Sequence, residues 1–181
     1  GGIRNQFHHV IDIVPTLLEV TGIKAPEKVN GVAQKPIEGV SLAYSFKDPG
    51  APSTHKTQYF EMMGDRALYH DGWILSTTPL RAPWDLTGPT TQDPANAFKW
   101  ELYNLKEDWT QNNDLSAKEP GKLKEMQELL WVELDKYQVL PLDSSVAARL
   151  AQARPNLTAG RSEFTYTYPV FGIPLGDAPS L

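Results

Sequence analysis

Four histidines, a scatter of carboxylates and no cysteine bound the chemistry open to this 181-residue chain. Without cysteine there are no disulfides, thiolate zinc sites or thiol nucleophiles. His8 and His9 are adjacent, so their imidazoles project in different directions and make a poor two-ligand metal site without a third group. Asp12 precedes a helical pattern and reads as its cap in preference to a metal ligand. His70-Asp71 falls at a hairpin turn and reads as solvated, and His55 follows Ser53-Thr54 in a polar loop with no chemical signal of its own. Trp73, Trp84, Trp100 and Trp109 raise a sugar-stacking platform, but Trp73 and Trp100 fall within strand patterns and read as core. Trp84, in Arg81-Ala-Pro-Trp-Asp85, is the best exposed contact, and Arg81 beside it is suited to an anionic ligand.

The elements that must position these groups follow from periodicity and turn chemistry. Asp12 to Gly22 predicts a short helix: Pro15 falls in the first turn and Gly22 is a natural residue just past the end. From Lys24 to Pro52, Gly31, Pro36, Gly39, Pro49 and Gly50 mark turns, so helical structure there is brief. Val40, Leu42, Tyr44 and Phe46 offer apolar anchors for an ordered loop. Residues 57–61, 66–70, 73–77 and 99–104 read as strands, with Asp71-Gly72 supplying the dipeptide of a type I′ hairpin turn. Leu123, Met126, Leu130, Leu134 and Tyr137 then share one helical face after Pro120, with Ser116 and Glu119 spaced as a capping box. The fold class is α+β: a small antiparallel four-stranded sheet covered by a C-terminal helix. The organisation reads as 1–27, a strand and helix segment; 28–56, a linker loop; 57–140, the sheet-and-helix subdomain; and 141–181, an extended tail. In that tail 144–153 suits a helix and 164–168 alternates like a strand.

A formal charge of -5, a pI near 5.4 and scattered Lys and Arg argue against nucleic acid as partner. No apolar run approaches the roughly 20 residues of a membrane span. The start, Gly-Gly-Ile-Arg, has neither an initiator Met nor a signal pattern, which leads to the expectation of a piece of something longer. The compartment is unknown from these residues.

Several segments, in order, resemble one family. His9-Val-Ile-Asp-Ile-Val-Pro-Thr-Leu-Leu-Glu-Val-Thr-Gly-Ile23 looks like the sulfatase segment that joins the catalytic core to the C-terminal subdomain. Asn30-Gly-Val32, Pro36-Ile-Glu-Gly-Val-Ser41, His55-Lys-Thr-Gln-Tyr-Phe-Glu61, Arg66-Ala-Leu-Tyr-His-Asp-Gly-Trp73, Trp100-Glu-Leu-Tyr-Asn104 and Asn113-Asp-Leu115 follow. Their order and spacing are similar to those of the large bacterial arylsulfatases, and Val139-Leu-Pro-Leu-Asp143 is similar to a subgroup of them. The resemblance implies the C-terminal subdomain of an alkaline-phosphatase-like α/β fold and, for the full-length enzyme, hydrolysis of a sulfate ester by a formylglycine hydrate with calcium or another divalent cation. That machinery lies upstream in the family, so no catalytic residue, no metal ligand and no cofactor is carried onto this chain. The partner it implies is an N-terminal sulfatase catalytic domain. His8 and His9, on the joining segment, and Arg81 and Trp84 are the substrate-pocket candidates.

Ser145-Val-Ala-Ala-Arg149 formally fits the S-x-A-x-R pattern from which formylglycine is made, with Gly160-Arg161 downstream. The spacing is longer than the family's, and no acidic pair stands nearby to hold a cation. An exposed helical stretch is the plainer reading of this match. Asn156-Leu-Thr158 is a glycosylation sequon only in a chain secreted by a eukaryote. Three functions therefore compete. One is an inactive C-terminal arylsulfatase fragment that supports a catalytic domain; if so, an apolar patch should run along the first helix and strand. The second is a stand-alone binding or interaction module derived from that subdomain, with a capped seam over residues 3–14. The third is an independent hydrolase using Ser145.

Overall fold

A computed structural model describes residues 2–29, 31–82, 84–85, 88, 90–145, 151, 153 and 163. The chain divides into two compact units, Gly1–Val146 and Ala147–Leu181, and every element described below belongs to the first. The expected helix over 144–153, the strand over 164–168, the Gly160-Arg161 pair and the 156–158 sequon lie outside the described residues, apart from residues 144, 145, 151 and 153.

A 3-10 turn, Val10–Asp12, leads into helix α1, Ile13–Thr21. Gly22 ends it in the left-handed region at φ 69°, where its N–H donates to the Glu19 carbonyl at 3.2 Å and the Ile23 N–H donates to that of Leu18 at 3.1 Å. A small hairpin follows, β1 (Lys28–Val29) with β2 (Val32–Ala33), and then one helical turn, α2 (Tyr44–Lys47). The turn signals between Lys24 and Pro52 do not announce this hairpin.

The core is a meander of β3 (Thr57–Met62), β4 (Asp65–His70), β5 (Trp73–Thr77) and β6 (Trp100–Asn104), antiparallel throughout and hydrogen-bonded in sequence order. The four-stranded antiparallel sheet with its C-terminal helix expected from sequence is present. Asp71 and Gly72 take φ 45° and 90° between His70 and Trp73, as the Asp-Gly dipeptide predicts for a type I′ turn. Met63 and Gly64, at φ 56° and 89°, make a second such turn between Met62 and Asp65.

The register aligns Leu68, Leu75 and Leu102 in one row across three strands. Against that row α3 (Pro120–Lys136) lays Met126, Leu130 and Leu134, and all six side chains are fully buried. Spacing of four residues places the three helical residues on one stripe, and each buried aliphatic side chain contributes about 1.5–3 kcal/mol. Pro120 occupies the first turn as expected, but Ser116 and Glu119 form no box: no side-chain cap bond is made at Glu119, and the Ser116 N–H donates to the Asp114 carboxylate at 2.9 Å.

The opposite face of the sheet is crossed by residues 6–9. Phe7 stacks on Tyr69 with ring centroids 3.6 Å apart. Gln6 donates to the carbonyls of Pro49 and Ala51 at 2.9 and 2.8 Å, and Arg4 to those of Ser45 and Phe46, which ties this strip to the segment around α2. The long connection from β5 to β6 is held by Arg66, which donates to the carbonyls of Gly64, Pro94 and Ala95 at 2.9, 2.6 and 2.8 Å. Its guanidinium lies 4.8 Å from the Trp100 ring centroid and 5.1 Å from that of Phe98. Among the described residues no helix is long and apolar enough to cross a membrane.

Candidate functional site

Asp12 is fully buried. Contrary to the expectation of a helix cap, its carboxylate makes no cap bond to α1. It turns instead toward four donors. One oxygen accepts the Val40 N–H at 2.8 Å. The other accepts the His9 N–H at 2.9 Å and faces His8 Nδ1 at 2.9 Å and His55 Nδ1 at 2.7 Å. A carboxylate only accepts, so both imidazoles carry their proton on Nδ1. The Tyr44 hydroxyl accepts the Thr54 N–H at 3.2 Å and lies 3.0 Å from His8 Nε2, which ties the loop at Tyr44 to the same cluster. Burial pushes the Asp12 carboxyl up, but the His9 and Val40 N–H groups with the two imidazoles outweigh it and hold it below its ordinary value.

His8, Asp12 and His55 place one potential ligand atom each within 4.8 Å of one another. The donor set does not suit the hard cation that a sulfatase resemblance implies, because such cations take six to eight oxygens and only one carboxylate is present. Both of its oxygens are already engaged by N–H donors. The cluster is a hydrogen-bonded junction of three segments: the strip before α1, the loop at Val40–Tyr44 and the lead into β3. His55 carries no chemical signal in the sequence because its partner is 43 residues away.

The other candidate residues are dispersed. His9 meets the Phe60 ring edge-on, with centroids 5.6 Å apart, and its Nδ1 is buried without a partner. Arg81 donates to the Ser144 carbonyl at 3.4 Å, and Trp84 is 84% exposed. No hydrogen bond or ring contact among the described residues joins Arg81 or Trp84 to His8 or His9. His70 is half-buried, with its Nδ1 2.8 Å from the Thr57 hydroxyl, so it is not the solvated turn residue expected. The Ser145 hydroxyl and N–H both donate to the Asp143 carboxylate at 2.8 Å, a local turn arrangement.

Helix α1 inverts the usual amphipathic arrangement. Its buried side carries Asp12 and Thr16, whose hydroxyl donates to the Asp12 carbonyl at 2.6 Å and accepts the Leu42 N–H at 2.9 Å. Its outer side carries Val10, Ile13, Val14, Leu17, Val20 and Ile23, each at least half exposed. Those positions recur at three- and four-residue steps and form one continuous stripe.

No protein-family model matches the chain. Among solved structures it is similar to BT4656, seen in complex with its substrate D-glucosamine-2-N,6-O-disulfate, at 20% identity and a TM-score of 0.47 over 75% of this chain and 25% of that one. It is also similar to Ps i-CgsB, at 18% identity and a TM-score of 0.47 over 77% and 27% of the two chains. A third is BT33336S-sulf, from glycosaminoglycan metabolism in Bacteroides thetaiotaomicron, at 17% identity and a TM-score of 0.45 over 67% and 24%. These neighbours are sulfatases. The chain spans about a quarter of their length.

Proposed function

We propose that this chain is the C-terminal part of an arylsulfatase, a sulfuric ester hydrolase, and that it supports a catalytic domain packed against α1. The ordered segments from His9 to Asp143 carry the family assignment. The observation that carries the supporting role is the exposed apolar stripe of α1. Half-exposed aliphatic side chains gain on the order of 1 kcal/mol each when covered, so a stripe of this size is a strong docking surface. A stand-alone module would have this seam capped, whereas Ile3 and Val10 are 82% and 67% exposed.

Within this reading, formylglycine, the divalent cation and the sulfate-ester substrate belong to the catalytic domain. The isolated chain is then inactive. The stripe orients the small sheet, and His9 on the joining segment stands close to the seam. The test is co-expression with a catalytic domain encoded in frame upstream, one carrying the formylglycine motif. The two parts should co-purify, each raising the melting temperature of the other, and hydrolyse 4-nitrophenyl sulfate only together. Turnover by this chain alone, or no mutual stabilisation, would sink the proposal.

A further inference from the structure

The four-stranded sheet treats its two edges differently. At the β6 edge, the Leu115 N–H donates to the Leu102 carbonyl at 2.8 Å, and the Leu102 N–H donates to the Asp114 carboxylate at 3.1 Å. The segment after β6 thus folds back and occupies the outward groups. At the β3 edge, no backbone-to-backbone hydrogen bond reaches the outer side among the described residues. The Tyr59 carbonyl there accepts only the side-chain amide of Gln58, at 2.8 Å.

The Met63–Gly64 turn fixes which groups face outward. A two-residue turn with both central φ angles positive makes Met62 and Asp65 the closing hydrogen-bonded pair. Alternation along an antiparallel ladder then turns the N–H and C=O of Thr57, Tyr59 and Glu61 away from β4. Such a row is the template onto which another strand pairs.

Space and charge beside this edge favour one kind of occupant. A cleft of about 740 Å³ lies along β3, with His9 and Ile11 on one flank and Glu133 and Tyr137 on the other. Three buried polar atoms in residues that line it lack a partner: His9 Nδ1, Asp65 Oδ1 and Arg66 Nε. Arg66 is 3% exposed, so water does not substitute freely for that partner. Glu38, Glu61, Asp65 and Glu133 outnumber Arg66 among the lining residues, so the formal charge of the cleft is negative. A second copy of the chain would bring the same carboxylates against these, which disfavours edge-to-edge self-pairing.

We infer that the β3 edge accepts an extended segment of alternating basic and apolar residues from the domain that covers α1, adding a fifth strand to the sheet. Its basic side chains meet Glu133 on the α3 face. Its apolar ones meet Phe60 and Met62 on the other. The source of the segment rests on the function proposed above; the pairing and its charge preference rest on β3 alone.

The test uses the 181-residue chain with the peptide Ac-KVKVKVK-NH2 as probe and Ac-EVEVEVE-NH2 as control. The basic peptide should slow amide exchange at Thr57, Tyr59 and Glu61, added salt should weaken it, and the acidic control should leave these amides unchanged. The double variant Glu38→Lys, Glu133→Lys, checked by circular dichroism to be folded, should bind the basic peptide roughly tenfold more weakly. Leu17→Asp should leave peptide binding intact while abolishing association with the upstream domain, so failure of the α1 reading and of this one are seen separately. Absence of protection at millimolar basic peptide, or equal protection by the acidic one, would overturn the inference. So would concentration-dependent protection of the same amides without peptide, which would assign the edge to a second copy.

Discussion

Replacing Asp12 tests the junction most directly, and the size of the effect follows from its donors. In Asp12→Ala, the His9 and Val40 N–H groups lose their acceptor at 2.9 and 2.8 Å in a site with no exposure. Each orphaned buried donor costs about 1–3 kcal/mol, so the loss is about 2–6 kcal/mol before any cavity cost. Asp12→Asn is milder. The remaining amide oxygen still serves Val40 N–H and His55, and His8 carries its proton on Nε2 and accepts from the new amide. Tyr44 then serves as acceptor to both His8 and Thr54. Only the His9 N–H, facing an NH2 group, has no remedy, for about 1–3 kcal/mol. At this chain length that is a fall in melting temperature of about 2–12 °C, with Asp12→Ala lower still. Thermal melts at pH 7 followed by far-UV circular dichroism read it. An Asp12→Asn variant melting with the parent, or below Asp12→Ala, would refute this account of the junction.

Three further outcomes follow. The Asp12 carboxyl is held below its unfolded value of 3.8, so its contribution is present above that pH and lost as pH falls through the lower folded value; the melting gap between the parent and Asp12→Asn should close below about pH 4 in a pH series. Leu130→Ala, at a fully buried position between α3 and the sheet, should cost about 2–5 kcal/mol in urea unfolding with the slope unchanged. Arg66→Met should release the β5–β6 connection, with loss of exchange protection and faster proteolysis within residues 90–98 while β3 to β5 stay protected.

The sheet and α3 are legible in the sequence because local rules decide them. Asp71-Gly72 dictates a turn type, and Leu123 to Tyr137 repeats at helical steps. Met63-Gly64 carries a weaker signal, since methionine is not a residue type that marks a position at φ 56°. Asp12 and His55 illustrate a different limit. Neither residue's neighbourhood in sequence mentions the other, and the hydrogen bond between them exists only once residues 7–9 have crossed the sheet. The apolar stripe of α1 is readable as periodicity, but periodicity alone does not say which side of a helix faces inward. Here the polar side does, because Asp12 and Thr16 have donors waiting on the loop at Val40 and Leu42.

The two tight turns also bear on how the chain reaches its native state. With β3, β4 and β5 joined by two residues each, the first two pairings close short loops at little entropic cost and can zip within microseconds of one another. β6 arrives only after a connection of more than twenty residues, and the Asp12 junction draws together positions more than forty apart. The order this implies is a hairpin pair as nucleus, closure by β6 and α3 next, and the α1 strip last. The surface that we propose receives the catalytic domain would then be the final one to take shape, on a sheet already set to hold it.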